Sequence, residues 1–220
     1  IKYLCVDDML LPDCLEQMVA GLDAHPAVCL VCGGRLSIDE SGQPFGLRRY
    51  SSRKEVVRGS KVITRCLFGG NFIGEPTAVM FRKSDMTARF RDDLPQLMDM
   101  EMWFRLLESG ALLNIETPLC SIRFHEAQMT RENIMAGRLI EDNVRIFNEF
   151  SEKPYLEVTP RLVIRHKLLM TYRVWVSRKF ITRETRRTVL TRFGVRLAYP
   201  FMPLISSALA LKRKFSRRAR

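Results

Sequence analysis

Cysteine is too sparse in this chain for a disulfide framework, since its six residues lie scattered through apolar stretches. Cys29 and Cys32 form a close pair, yet no second pair of Cys or His stands ready to complete a four-ligand zinc site. Their surroundings, AVCLVCGG, read as a buried strand with ordinary thiols, which fits a reducing compartment. Neither a Walker nor a Rossmann glycine pattern occurs, and there is no internal repeat. The charge-free run 197–211 has 15 residues and contains Pro200 and Pro203. A bilayer core needs roughly 20 apolar residues, so this run is too short and too interrupted to span one. Acidic residues are almost missing from the last third: residues 151–220 hold 18 Lys+Arg against 3 Asp+Glu, while residues 1–150 hold 18 against 21. The body is therefore mildly acidic and the overall +12 comes from the C-terminal third. Hydrophobic content of 46% with 27% charge excludes global disorder.

What is present reads as alternating strands and helices. Residues 1–6 form an apolar run of strand length that ends in Asp7-Asp8, and its lack of any lead-in predicts a longer parent. Pro12-Asp13 opens a helix with Leu15, Met18, Val19 and Leu22 on one face. Residues 27–32 are a second buried strand, and the alternating stretch 34–50, turning at 40–44, predicts a hairpin or an excursion at the sheet edge. A helix is expected over 52–68, a glycine-rich loop over 69–76, and a strand over 77–82. Asp99 precedes an amphipathic helix, MEMWFRLLESG, ending at Gly110. Two strands follow, over 111–115 and 118–124, then a helix over 131–150 with Ile134, Leu139, Ile140, Val144 and Phe147 inward. This order predicts an α/β fold with a mostly parallel sheet covered by helices. Residues 160–193 read as a basic amphipathic helix or helix pair, giving a body over 1–150 and a helical extension over 151–220.

Ligands of α/β sheets bind beyond the C-terminal ends of the strands, which is where Asp7-Asp8 and His125 are expected. Adjacent carboxylates repel, and a hard divalent cation relieves the repulsion. Asp8 also suits a helix cap. Asp99, at the head of a helix with Trp103 and Arg105 behind it, is either a cap or a general base. The helix dipole should favour its ionised form. Arg123 shares its strand face with His125 and suits a phosphate. Glycines 69–74 let backbone N–H groups approach a ligand.

Four segments in order carry a family resemblance. YLCVDDMLLPDCLEQMV resembles the Asp-rich strand and following helix of family 2 glycosyltransferases. FGGNFIGEPTAVMFRKSDM is similar to their acceptor-side loop. LMDMEMWFRLLESG is similar to the segment bearing the catalytic Asp and a Trp-x-x-Arg-Leu helix, and PLCSIRFHEAQMT to the strand ending in Arg-x-His. Cys5 and Met98 depart from the family's usual acidic residues.

The resemblance implies a GT-A fold, a Rossmann-like α/β sandwich with a mostly parallel sheet and helices on both faces, here lacking its first strand–helix segment and its nucleoside grip. It implies inverting transfer of a sugar from a nucleotide-diphosphate donor to a glycan, polysaccharide or lipid-linked acceptor. Asp99 would be the catalytic base, and Asp7, Asp8 and His125 would hold Mg²⁺ or Mn²⁺. Arg123 would meet the donor phosphates, and Gly74, Glu75, Pro76, Trp103 and Arg105 would shape the acceptor side. The basic, partly apolar tail suits the interface of an anionic membrane, which places the protein peripherally on its cytoplasmic face. Two rivals are a nucleic-acid-binding protein using the basic tail, against which the acidic body argues, and an inactive relative of the fold.

Overall fold

The computed structural model describes residues 1–86, 89–126, 128–196 and 199–203. Along the chain the elements are β1 (Met9–Leu10), α1 (Cys14–Ala24), β2 (Val28–Ile38), β3 (Pro44–Arg48), β4 (Glu55–Arg58), α2 (Gly59–Gly69), β5 (Val79–Phe81), α3 (Met98–Leu107), β6 (Ala111–Arg123), α4 (Met129–Met135), α5 (Arg138–Phe150), α6 (Pro160–Val176) and α7 (Arg183–Arg192).

The architecture is α/β, with six strands in one mixed sheet. Only the two long central strands, β2 and β6, are parallel. On one side of this pair β3 and β5 run antiparallel to β2, and on the other β4 and β1 run antiparallel to β6. The expected mostly parallel sheet is thus corrected to a mixed one. Parallel pairing needs a long crossover, which residues 39–110 supply between β2 and β6; the other strands fold back alongside them. The hairpin expected over 34–50 is β2 and β3, closed by an Asp39 carboxylate that accepts N–H bonds from Ser41 and Gln43, both at 2.9 Å.

Residues 1–6 are not a strand. Lys2 bridges Met80 and the chain then peels away, leaving Val6 fully exposed. The slot beside β2 is already filled by β5, and β5, at three residues, offers little outer edge for pairing. The two strands expected over 111–124 are a single strand, because Pro118 sits at an irregularity in register opposite Gly33, Gly34 and Arg35 instead of ending the pairing. The helix expected over 52–68 is a strand followed by a helix: β-branched Val56 and Val57 pair with β6 before α2 begins. The helix expected over 131–150 breaks at Gly137, whose φ of 78° lies in the left-handed region.

Helices cover both faces. On one, α1 buries Cys14, Met18 and Leu22 against Val31, Leu113 and Leu119, while Leu15 and Val19 face outward. On the other, α2 and α3 supply Ile63, Leu67, Trp103, Phe104 and Leu107 to the larger core. The extension packs on this body. His166 of α6 stacks on Phe147 of α5 with ring centroids 4.4 Å apart, and Met170 and Val174 join Ile140, Val189 and Phe193. Its charge-free run falls mostly outside the described residues. Among the described residues no helix is long and apolar enough to cross a membrane.

Candidate active site

β2 and β6 stay paired as far as Ile38 and Arg123, and Asp39 and His125 lie just beyond. Two groups of polar side chains meet on this side of the molecule.

The first joins the chain's beginning to the end of β6. His125 Nε2 is 3.1 Å from Asp7 Oδ2, and the Asp7 side chain is 55% exposed, open to a ligand. Asp8 turns the other way. Its Oδ2 accepts the Thr77 hydroxyl at 2.6 Å and its Oδ1 the Arg123 N–H at 3.2 Å. Burial raises its pKa above the usual carboxylate value, against those two bonds. Of the three residues expected to share a cation, the fold therefore pairs Asp7 with His125 and gives Asp8 a tying role. Among the described residues no group of three His, Cys, Asp or Glu forms a ligand cluster. The Arg123 guanidinium donates to the carbonyls of Asp7, Asp39 and Glu40 at 3.1, 3.0 and 2.9 Å, pinning these segments together. Beside them lies an open groove of about 720 Å³ lined by Phe124, His125, Gln128, Arg131 and Met135.

The second group surrounds the glycine loop. Asn71 Oδ1 accepts the Gly74 N–H at 2.9 Å, and its Nδ2 donates to Asp99 Oδ2 at 3.1 Å. Gly74 has φ of 130°, and a Cβ there would lie 2.8 Å from the Ala78 Cβ and 3.1 Å from the Arg35 guanidinium carbon, so only glycine fits. Glu75 pairs with Arg35 Nε at 2.7 Å and with Arg48 Nη1 at 2.8 Å. Burial works to raise the Glu75 pKa, but the two guanidinium groups outweigh it and hold the carboxyl below its usual value.

Asp99 is the second residue of α3, and the turn that leads into this helix is held from outside. Buried Asp142 of α5 accepts the N–H groups of Gln96 and Leu97 at 2.7 and 3.0 Å. The expected effect of the helix dipole on Asp99 is overturned. Desolvation dominates, the nearby Glu75 charge adds to it, and together they push the carboxyl up to about 7 despite the Met100 N–H bond. The Glu75 charge also raises Asp8, so it influences both groups.

Two residues expected at the acceptor surface point elsewhere. Trp103 is fully buried against Phe81 and Phe90, and its Nε1 donates to the Gly74 carbonyl at 3.1 Å. It supports the loop from behind. Arg105 turns back to buried Glu101 at 2.8 Å, at ordinary i,i+4 helix spacing. Gly74, Glu75 and Pro76 do sit in the loop facing Asp99. Arg35, Arg48, Asn71, Thr77 and Asp142 complete the arrangement without having been singled out. The available signal was Arg35 itself, a charge inside the apolar strand VCLVCGGRLSI. Cys29 and Cys32 are buried thiols, both raised to about 12 by desolvation.

No family model matches the chain. Over 147 residues it is 29% identical to an uncharacterized protein of Mycobacterium tuberculosis (strain CDC 1551 / Oshkosh), a match covering 63% of this chain and 46% of that protein. The chain thus spans about half the length of that relative.

Proposed function

We propose that this chain carries the transfer site of an inverting glycosyltransferase of family 2 with the GT-A fold, moving a sugar from a nucleotide-diphosphate donor to a glycan, polysaccharide or lipid-linked acceptor. One observation carries this reading: the Asp99 carboxyl, raised to about 7, is held by Asn71, which also binds the Gly74 N–H of the glycine loop. A general base works best with a pKa near the operating pH. Asp99 takes the proton of the acceptor hydroxyl as that oxygen attacks the anomeric carbon. The bond from that carbon to the donor diphosphate breaks on the opposite face, and configuration inverts.

Asn71 and the Met100 N–H orient the carboxylate, while Trp103 and Arg35 fix the loop that meets the acceptor. Asp7 and His125 fit a Mg²⁺ or Mn²⁺ ion, because such ions commonly take few protein ligands and fill the rest with phosphate and water. That ion would neutralise charge developing on the departing diphosphate. The basic last third supports a peripheral position on an anionic membrane surface, on the cytoplasmic side.

The test is nucleotide-sugar turnover by the complete gene product. Asp99→Asn should keep donor binding and lower turnover by roughly 10²–10⁴-fold. Turnover at the wild-type rate would reduce Asp99 to a helix-start residue and remove the reading.

A further inference from the structure

Four cations gather where α2 meets α6 and the glycine loop begins. Lys61 and Arg65 are one turn apart on α2, and Arg165 and Arg173 belong to α6. The Arg65 guanidinium lies over two aromatic rings, 4.3 Å from the Tyr50 centroid and 4.8 Å from that of Phe72. The Phe72 ring covers Gly69: a Cβ at that glycine would lie 2.6 Å from the ring and 3.7 Å from Arg165 Nη2. A Cβ on Gly70 would lie 3.1 Å from Arg173 Nη2. Arg165 and Arg173 therefore reach the two glycines that lead into Asn71, and Arg65 lies over the Phe72 ring that covers the first of them. A hollow of about 240 Å³ opens between Lys61, Arg65, Phe68, Leu162 and Arg165.

Among the described residues no carboxylate forms an ion pair with any of the four, and Glu157 at the edge of the hollow is bonded to Arg58. Arg173 is held by a neutral amide, Asn143 Oδ1 at 2.7 Å, and burial lowers its pKa with no opposing charge. Lys61, Arg65 and Arg165 are exposed, but Arg173 is partly buried without a counter-charge, a cost that an incoming anion relieves. Guanidinium forks bind phosphate oxygens in pairs, and adjacent glycines let a phosphate approach the backbone.

We propose that Arg65, Arg165 and Arg173, with Lys61 at the rim, form a subsite for the diphosphate group of a phosphorylated acceptor at the entrance of the glycine loop. The proposal rests on reading that loop as the acceptor side, and it assigns the C-terminal extension a part in substrate binding. The acceptor's diphosphate would sit beside α6 while its hydroxyl reached Asp99.

Titration calorimetry on the full chain, with chelator present, tests this using inorganic pyrophosphate and a short-chain prenyl diphosphate as probes. Both should bind one per chain. Arg165→Ala removes a side chain with no hydrogen bond or ion pair among the described residues, so the variant should keep the wild-type melting temperature while weakening each probe about tenfold or more. Arg65→Ala should act likewise, and Asp7→Asn should change neither. Phosphatidylglycerol vesicles should fail to displace the probes; displacement in proportion to vesicle charge would make this face a general membrane contact and overturn the diphosphate assignment. Affinity unchanged by both arginine variants would overturn it too. Loss of binding in Asp7→Asn alone would move the anion to the strand ends, ending this proposal while leaving the transferase reading intact. Absence of sugar transfer leaves these binding results untouched, so the two readings fail separately.

Discussion

Asn71 Nδ2 stands 3.1 Å from Asp99 Oδ2, while the same side chain takes the Gly74 N–H on its Oδ1 at 2.9 Å. One amide thus ties the loop's shape to the proposed base. Asn71→Asp keeps the size and replaces the donor with a second negative charge, which disfavours ionisation of Asp99. With Asp99 at about 7, wild-type turnover should climb through neutral pH and level off above it. The variant's profile should climb roughly one pH unit higher. Coincident pH profiles would show that the two side chains are not coupled.

Asp99 also predicts how stability depends on pH. Its folded pKa of about 7 lies above the value of 3.8 for a free carboxyl, so the folded state holds its proton more tightly. The stability this gives is complete below pH about 4 and is lost as pH rises through about 7. Asp99→Asn stays neutral throughout. Relative to wild type, its melting temperature should gain on the order of a few °C between pH 5 and pH 8. A gain that shrinks over this range would contradict burial as the cause of the shift.

Glu75→Gln should be far more disruptive than a change at its outer partner. It leaves Arg35, 4% exposed, without its counter-charge, at a cost of about 3 kcal/mol. Arg48, 36% exposed, is worth less than about 1 kcal/mol, so Arg48→Ala should be mild. Urea unfolding of the two variants measures the difference, and equal losses would mean that Arg35 finds another way to be satisfied.

Sugar transfer should stop in excess EDTA and return with Mn²⁺, and Asp7→Asn should need more metal for half-maximal rate. Undiminished transfer in chelator would remove the metal role from Asp7 and His125 together.

The tail gives a separate test. Residues 204–220 contain six Lys+Arg and no acid. Each near-surface cation contributes about 1 kcal/mol on an anionic membrane. Their deletion should abolish co-sedimentation with anionic vesicles while sparing the packing of Val189, Phe193 and Val195 on α5. Vesicle binding that survives the deletion, or tighter binding to nucleic acid at the same salt, would move the contact elsewhere.

The elements legible in the sequence were those with a local signature. The hairpin at 39–43 declared itself through its turn residues, and the α3 helix through its apolar spacing. Residues 1–6 misled because strand composition does not reveal whether a neighbouring edge is open, and here β5 holds it. The direction of most strand pairings was equally hidden, being fixed by contacts between distant segments. At the site, Asp99 stood out by position, but its basicity came from burial and from Glu75, neither of which a helix-dipole argument contains. The family resemblance puts Trp103 on the acceptor side, whereas packing against Phe81 and Phe90 buries it behind the loop.

Asp142 closes the start of α3 from 45 residues downstream of Leu97. The backbone donors of Gln96 and Leu97, just before α3, thus have their side-chain acceptor only in a chain long enough to include α5. The entry to the helix that carries Asp99 is therefore tied to a segment far along the chain. A nascent chain stalled before residue 142 would hold the proposed base on a helix whose entry is not yet tied, so competence for catalysis would arrive in one step, as α5 docks.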